Sequence, residues 1–529
     1  MKTKTRLILL LIIIGNFLVA NAQYLEVSGF QSGQWDADTV LVTGDVDVVN
    51  QLTLKPGTVV LFDGFYHISV GEGAFFSAKG REDDSIVFTV VDTTGFGLVD
   101  ESKGGWNGFQ VNRGKVELDY CVLEYGKAAL AVDKEGGALR IDQGDVRIGH
   151  SSLRHNYSCD RGGAIHAQDA DVHIYASCIN ENWVLTNTGT YAMYGGGASF
   201  FRSNVYLRDM EFIGNYAPSC IGGALSLDSC QVDLHGAVFA DNIGLNGGGL
   251  YVMRNNFTNS TLSNLAIYHN YSGHFAGGLA FSDSSPKVYN VLVADNSSEG
   301  VSCNGVFFYQ ESQPQFTNCI VWGNYPPADN LHEDSTQMWV WTYGDYAPEF
   351  RNCLIEEGIK RIHGGEFIRV FEEILEDDPL FVDELHHDYH LTEASPCRDA
   401  GNRYVPFDLF EGGDLDGLPR VAHQRIDIGP YEYSQVAVEE HLGDGQAFCL
   451  VGNPLGSDSR VCFNLDSPEM LKVTLFSVDG RMMAQKPAQA FVAGKVELPI
   501  GDMVDNLAPG LYLLEVKGNK RDLWIKAVK

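Results

Sequence analysis

The chain has 529 residues, and its 69 Asp and Glu against 37 Lys and Arg give a formal charge of −32. That charge repels phosphate backbones and anionic membrane surfaces and excludes nucleic acid as a natural partner; no cofactor is expected, weakly held calcium being the one ion such an acidic surface accommodates. The 11 cysteines, an odd number, are scattered through a chain long enough for one large elongated domain and a smaller one, which argues against a disulfide scaffold.

At the amino terminus Lys2, Lys4 and Arg6 precede an apolar run over residues 7–14, and Ala20-Asn21-Ala22 offers small residues for cleavage. This pattern predicts a secretory signal peptide over 1–22, with the mature chain starting at Gln23. The run is shorter than the roughly 20 residues a spanning helix needs and no later stretch replaces it, so the mature form is expected to lack a transmembrane span. Val40-Leu41-Val42, Val46-Asp47-Val48, Leu52-Thr53-Leu54 and Val59-Val60-Leu61 then alternate as short strands, followed by Ile86-Val87-Phe88 and Gly105-Trp106-Asn107-Gly108-Phe109. They read as the first coils of a repeat.

The repeat itself is carried by a double glycine at Gly136-Gly137, Gly162-Gly163, Gly195-Gly196, Gly222-Gly223, Gly247-Gly248 and Gly277-Gly278, at intervals of 26, 33, 27, 25 and 30 residues. Period-two segments such as Ala138-Leu139-Arg140-Ile141 and Asp145-Val146-Arg147-Ile148 follow most of these pairs and predict strands. An asparagine falls 20 residues after the leading glycine in four units, at Asn156, Asn182, Asn215 and Asn242, and Asn270, Asn296 and Asn324 continue the series. A unit of this length cannot bury its own apolar face, so it must stack on its neighbours as one coil of a solenoid. Strand spacing of about 4.8 Å superimposes equivalent residues. The asparagines are then expected to form an amide ladder, with the glycines at sharp turns or close approaches. Cys121, Cys178, Cys319 and Cys353 precede apolar strand residues and read as small core residues; Cys220 and Cys230 are the nearest candidates for a disulfide, with connectivity open.

These glycine and asparagine motifs, over residues 110–330, resemble those of the chlamydial polymorphic outer-membrane proteins and of right-handed parallel β-helix proteins exported by Bacteroidetes. Pro56-Gly57-Thr58 and the Trp106 segment resemble the opening turns of that family, where a terminal coil must be capped. Asp378-Pro379-Leu380-Phe381-Val382, Asp388-Tyr389-His390-Leu391, Ser395-Pro396-Cys397 and Asp427-Ile428-Gly429-Pro430-Tyr431-Glu432 are similar to its closing segment and imply a C-terminal cap. From Cys449, Gly452-Asn453-Pro454, the alternating 471–476, Asp479-Gly480-Arg481, Leu507-Ala508-Pro509-Gly510-Leu511-Tyr512 and a basic terminal strand resemble the type IX secretion sorting domain. The expected organisation is a signal peptide over 1–22, an all-β right-handed parallel β-helix with caps over 23–435, a linker over 436–448 and a β-sandwich sorting domain over 449–529. The resemblance implies passage by the type IX machinery, and a secreted or outer-membrane surface-attached location.

Parallel β-helices host polysaccharide lyases and hydrolases, so acid–base groups need weighing. Glu376-Asp377-Asp378 is the nearest acidic run and reads as a solvated turn. Arg140, Arg154, Arg161 and Lys127 would form a lyase centre only if they converge in one groove. His386, His387, Asp388 and His390 are dense enough for a metal, yet the closing pattern accounts for the segment without histidines; Asp414-Leu415-Asp416-Gly417 lacks the later ligands of a calcium loop and reads as a turn. Tyr157, Tyr194, Tyr216 and Tyr271, with Tyr191 and Tyr268, lie near the glycine or asparagine turns and are candidates for stacking on sugar rings, an acidic setting favouring neutral sugars. The leading expectation is a non-catalytic protein contacting an extracellular glycan or a host or community surface. A polysaccharide lyase or glycoside hydrolase is the alternative, and a structural spacer a third reading.

Overall fold

The structure, a computed structural model, describes residues 24–528 apart from 99–100, 130–133, 186–192, 258, 300–302, 327–335, 403–404, 406–412, 422–424, 434–437, 443–445, 452–454, 456–458, 466, 478–480, 493, 505–506, 508–510 and 519–521. The signal-peptide segment, Asn453-Pro454 and Asp479-Gly480 therefore lie outside the described residues. Two compact units separate at Glu432 and Tyr433.

In the first unit each coil contributes three short strands. Leu139–Asp142, Asp145–Gly149 and Ser152–Arg154 pair in parallel with their equivalents in the coils on either side, so that three sheets run the length of the shaft. All belong to one 30-stranded parallel assembly, and the fold is the right-handed parallel β-helix expected. Alternate side chains point inward: Leu139, Ile141, Val146, Ile148 and Leu153 are buried in one continuous core. Superposed coils also stack like on like, as in the rings of Phe212 and Phe239, 4.7 Å apart and 1° from parallel.

The corners between sheets are made by left-handed residues, of which glycine supplies only some. In the coil beginning at Leu139 they are Gln143 (φ 54°), His150 (45°), His155 (53°) and Gly162 (58°). A non-glycine residue there costs roughly 1–2 kcal/mol, which stacking with equivalent corners above and below offsets. At the double glycines the two positions differ in role. Gly162 takes the left-handed turn, where a Cβ would also fall 1.8 Å from Ile165 O of its own coil, whereas a Cβ on Gly163 would sit 2.4 Å from the carbonyl oxygen of Gly196 in the next coil. The sixth pair is out of frame with the others: Asn246 pairs with Phe275, so the left-handed position is Ala276 (φ 52°), and Gly277-Gly278 occupy the two positions after it.

The asparagines stack along the axis. Each Nδ2 donates to the next Oδ1: Asn156 to Asn182 (3.0 Å), Asn182 to Asn215 (3.0 Å), Asn215 to Asn242 (2.9 Å), Asn242 to Asn270 (2.8 Å), Asn270 to Asn296 (2.9 Å) and Asn296 to Asn324 (3.0 Å). The same oxygens accept the backbone N–H of the preceding asparagine, and Nδ2 also caps a third-sheet carbonyl, as from Asn242 to Phe212 at 2.8 Å. Gln337 continues the series by accepting from Asn324 Nδ2 at 2.7 Å and donating to Glu356 at 2.5 Å.

Several expectations are corrected. The opening coil is Tyr24–Trp35, paired with Thr39–Leu54, and Trp106 is an interior residue stacked 4.3 Å from Phe62, not part of a terminal cap. Cys220 and Cys230 are separate buried free thiols, Cys220 beside Val184 and Ala217 and Cys230 in the shaft core. Cys178 is partly exposed, unlike Cys121, Cys319 and Cys353. The closing segment folds back along the corner between second and third sheets instead of over the last coil. That corner carries left-handed Asn264, Asn290 and Asn318. Asn264 Nδ2 donates to Gly413 O (2.8 Å), Asn290 Nδ2 to Asp427 O and Gly429 O (3.0 and 2.9 Å), and Asn402 N to Asn318 Oδ1 (2.6 Å).

The second unit has two four-stranded antiparallel sheets. Val461, Val496 and Leu498 of one share a core with Leu471, Val473, Leu475, Leu514 and Val516 of the other, the arrangement of a small β-sandwich.

Candidate functional site

The outward face of the first sheet changes character along the shaft. Its side chains pass from Arg140, His166, Ser199 and Ser226 to Tyr251, Ala280, Phe307 and Trp339 in successive coils. A separate five-stranded sheet, formed by short segments such as Cys220–Ile221, Ile243–Asn246 and Tyr271–Phe275, lies over part of this face. Ala276 and Cys303 pack on Tyr251, Ala280 and Phe307, closing that stretch to solvent.

Past this cover the face opens as an aromatic tier. Trp339 and Trp341 on Thr336–Thr342 stack at 5.4 Å with planes 12° apart; Tyr309 meets Trp341 edge-on at 5.7 Å, and Tyr343 lies 6.4 Å from Tyr309. Trp341 is 43% exposed, Tyr343 52% and Tyr346 37%. The rigid side of the tier is the buried packing of Phe275 and Phe307 against Trp339, at 5.4 and 6.0 Å. Its rim carries charge of both signs: Glu311 raises the Tyr346 phenol above its ordinary value, and Asp345 stands 2.5 Å from Arg369.

The tyrosines singled out from the sequence form no such platform. Tyr157, Tyr216 and Tyr271 share a column, with Trp183 and Ile243 intervening between them. Tyr157 is buried, its hydroxyl donating to Leu185 O at 3.1 Å beneath Phe96, so it is no stacking surface; the covering loop that decides this could not be read from the local pattern. Tyr216 is exposed, Tyr271 partly so, and Tyr194 lies in the adjacent column with the Arg161 guanidinium 5.2 Å over its ring. Tyr268 packs against His387 of the closing segment at 5.6 Å, and Tyr191 is outside the described residues.

The basic groups converge only in part. Arg161 approaches Glu135 at 3.6 Å, and Glu135 lies 3.6 Å from His166. Burial, with the charges of Arg161 and Arg140, pushes the His166 imidazole down to about 3, so it is neutral near pH 7. At 2% exposure it cannot reach a substrate proton. Arg154 is on the third sheet beside Glu124, and Lys127 is buried, its ammonium donating to Gly95 O, Leu98 O and Lys103 O at 2.9–3.2 Å. Among the described residues no three His, Cys, Asp or Glu side chains are grouped to hold a metal ion. His390 is gripped by Asp388 (2.5 Å) and Asp416 (2.6 Å), and Asp414 accepts backbone N–H groups of Asp416, Leu418 and Glu432 at 2.8–3.0 Å, organising a turn.

No protein-family model matches the chain, and no curated protein matches it. Among solved structures it is similar to the A-module of mannuronan C-5 epimerase AlgE4 of Azotobacter vinelandii, at 13% identity over 61% of this chain and 86% of that one, with a TM-score of 0.30. It is also similar to the receptor-binding protein of bacteriophage Det7, a podoviral tailspike in a myovirus, at 10% identity over 96% and 95% of the chains, with a TM-score of 0.19. Neither likeness carries information about chemistry at these values.

Proposed function

We propose that the β-helix contacts an extracellular glycan, without turning it over, through the aromatic tier of Trp341, Tyr343 and Tyr346. The supporting observation is that three exposed rings, Trp341 on the strand and Tyr343 and Tyr346 on the turn that follows it, stand together beside carboxylates. Ring faces take up the apolar C–H faces of sugars, carboxylates accept sugar hydroxyls, and Glu311 within a chain of net charge −32 disfavours uronates, so the favoured ligand is neutral. Of the basic groups singled out from the sequence, Arg140 and Arg161 gather with Glu135 around His166, and that imidazole is closed to substrate. Export through a signal peptide and the type IX machinery, with surface attachment, rests on the sequence motifs.

The test is affinity electrophoresis of the full mature chain in gels containing neutral or uronate polysaccharides, with Trp341→Ala alongside and product release assayed in parallel. Retardation by a neutral glycan, lost about tenfold in Trp341→Ala, is the expected result, since one stacked ring contributes roughly 1 kcal/mol beyond the area it buries. Undiminished retardation of the variant, or steady release of reducing ends or unsaturated products, overturns it.

A further inference from the structure

The corner between second and third sheets is filled by the closing segment along one part of the shaft and open along another. Where it is filled, the left-handed residues are Asn264, Asn290 and Asn318, whose amides donate to peptide carbonyls of that segment or pair with its backbone. Upstream the same positions hold Tyr120, His150, Ala176 and Asp209, all left-handed with φ between 44° and 52°. There the corner forms a cleft of about 410 Å³ whose walls include Ser85, His150, Ser152, Cys178, Asp209 and Glu211. That volume falls in the range of roughly 300–1,000 Å³ typical of ligand clefts.

The exchange of side chains changes what the corner can hold. It loses the asparagine amides that hold the peptide carbonyls of the closing segment downstream. It offers ring faces and acceptors instead. Tyr120 and His150 stack at 4.5 Å and 6° from parallel, and Tyr175 meets His150 edge-on at 5.2 Å. Tyr175 keeps this place because Gly149 leaves room for it, a Cβ there falling 2.3 Å from its ring. The carboxylates Asp209 and Glu211 are exposed, and Asp119 accepts from or pairs with His150 Nδ1 at 2.9 Å. Nearby cations are taken up by other partners, Lys79 by Glu117 at 2.9 Å and Arg154 by Glu124 at 3.1 Å. A polyanion meets repulsion here, whereas sugar hydroxyls meet carboxylates, serine hydroxyls and aromatic faces.

We infer that this open upstream half of the corner binds a neutral hexose oligosaccharide, its rings against Tyr175 and His150 and its hydroxyls on Asp209, Glu211 and Ser152. The site lies on a different sheet corner from the aromatic tier and stands or falls separately from it.

Cys178 supplies the readout, because it lines the cleft and is partly exposed, whereas the other cysteines of the β-helix unit whose burial is described are buried. The full mature chain is alkylated with iodoacetamide, and the rate at the Cys178 peptide is followed by mass spectrometry. The probes are cellohexaose, laminarihexaose, mannohexaose and maltohexaose, with hexagalacturonate and a synthetic peptide of residues 425–433 as controls. A severalfold slowing by at least one neutral hexasaccharide is expected, retained in Trp341→Ala and lost in Tyr175→Ala/Asp209→Ala, with His150→Ala as a second, independent cleft variant. Melting temperatures identify any variant that fails to fold. The proposal is overturned if no neutral hexasaccharide slows labelling, if the uronate or the peptide protects instead, or if protection survives both cleft variants. Loss of protection in Trp341→Ala alone overturns it too, by assigning the binding to the tier.

Discussion

Asn242 bonds upward, downward and sideways at once: it accepts from the N–H and Nδ2 of Asn215 at 2.9 Å and donates to Phe212 O and Asn270 Oδ1 at 2.8 Å. An alanine there orphans several buried groups at about 1–3 kcal/mol each, so Asn242→Ala is expected to destabilise the shaft by roughly 3 kcal/mol or more. Asn242→Asp is expected to do at least as much harm, since a carboxylate keeps the acceptor but loses the donor and buries a charge. Urea unfolding midpoints of the full chain check both. The glycines separate two requirements in the same way. A Cβ at Gly162 both strains a left-handed turn and falls 1.8 Å from Ile165 O of the same coil, whereas one at Gly163 falls 2.4 Å from Gly196 O of the next. Both alanine substitutions are expected to lower the melting temperature, Gly162→Ala by at least as much as Gly163→Ala. An unchanged melting temperature in either variant contradicts this reading.

At the scale of elements, the closing segment is held to the flank by amides of the corner asparagines and by titratable groups. Tyr389 Oη donates to Asp295 at 2.6 Å, and His390 bridges Asp388 and Asp416. Burial opposes the charge on His390, but bonds to the two carboxylates outweigh it and raise the imidazole from its ordinary value to about 10. A value raised on folding means stabilisation that is complete below the unfolded value of about 6.5 and drains away as pH climbs through the folded one. The melting-temperature difference between wild type and His390→Gln is therefore expected to be largest near pH 6 and to shrink toward pH 10. A constant difference across that window contradicts the clamp. Sequence similarity identified this segment as a closing element, but the corner column that receives it went unread. Asn264, Asn290, Asn318 and Asn352 recur at 26, 28 and 34 residues, a second series that an alignment on the first could have revealed.

For the whole molecule, the distribution of exposed rings limits where a ligand could stack more than the count of tyrosines does. The covering sheet hides Tyr251 and Phe307 and the loop around Phe96 hides Tyr157, while Trp341 and Tyr343 stay open. Replacing Trp341 by Phe should retain part of the neutral-glycan retardation and replacing it by Ala should abolish most of it, with melting temperature unchanged in both. Equal loss in the two variants would point to an indole N–H contact in place of ring stacking.

The chain's own periodicity determined the shaft. Period-two alternation fixes which side chains face inward, and glycines and asparagines recurring once per coil bring identical groups into superposition, so the ladder follows from spacing alone. Tertiary structure decided what the outside presents. Whether Tyr157, His166 or Trp341 meets solvent depends on segments that are distant in sequence, which cross the sheets at positions no local pattern encodes. The same holds for the corner that the closing segment fills in one stretch and leaves open in another.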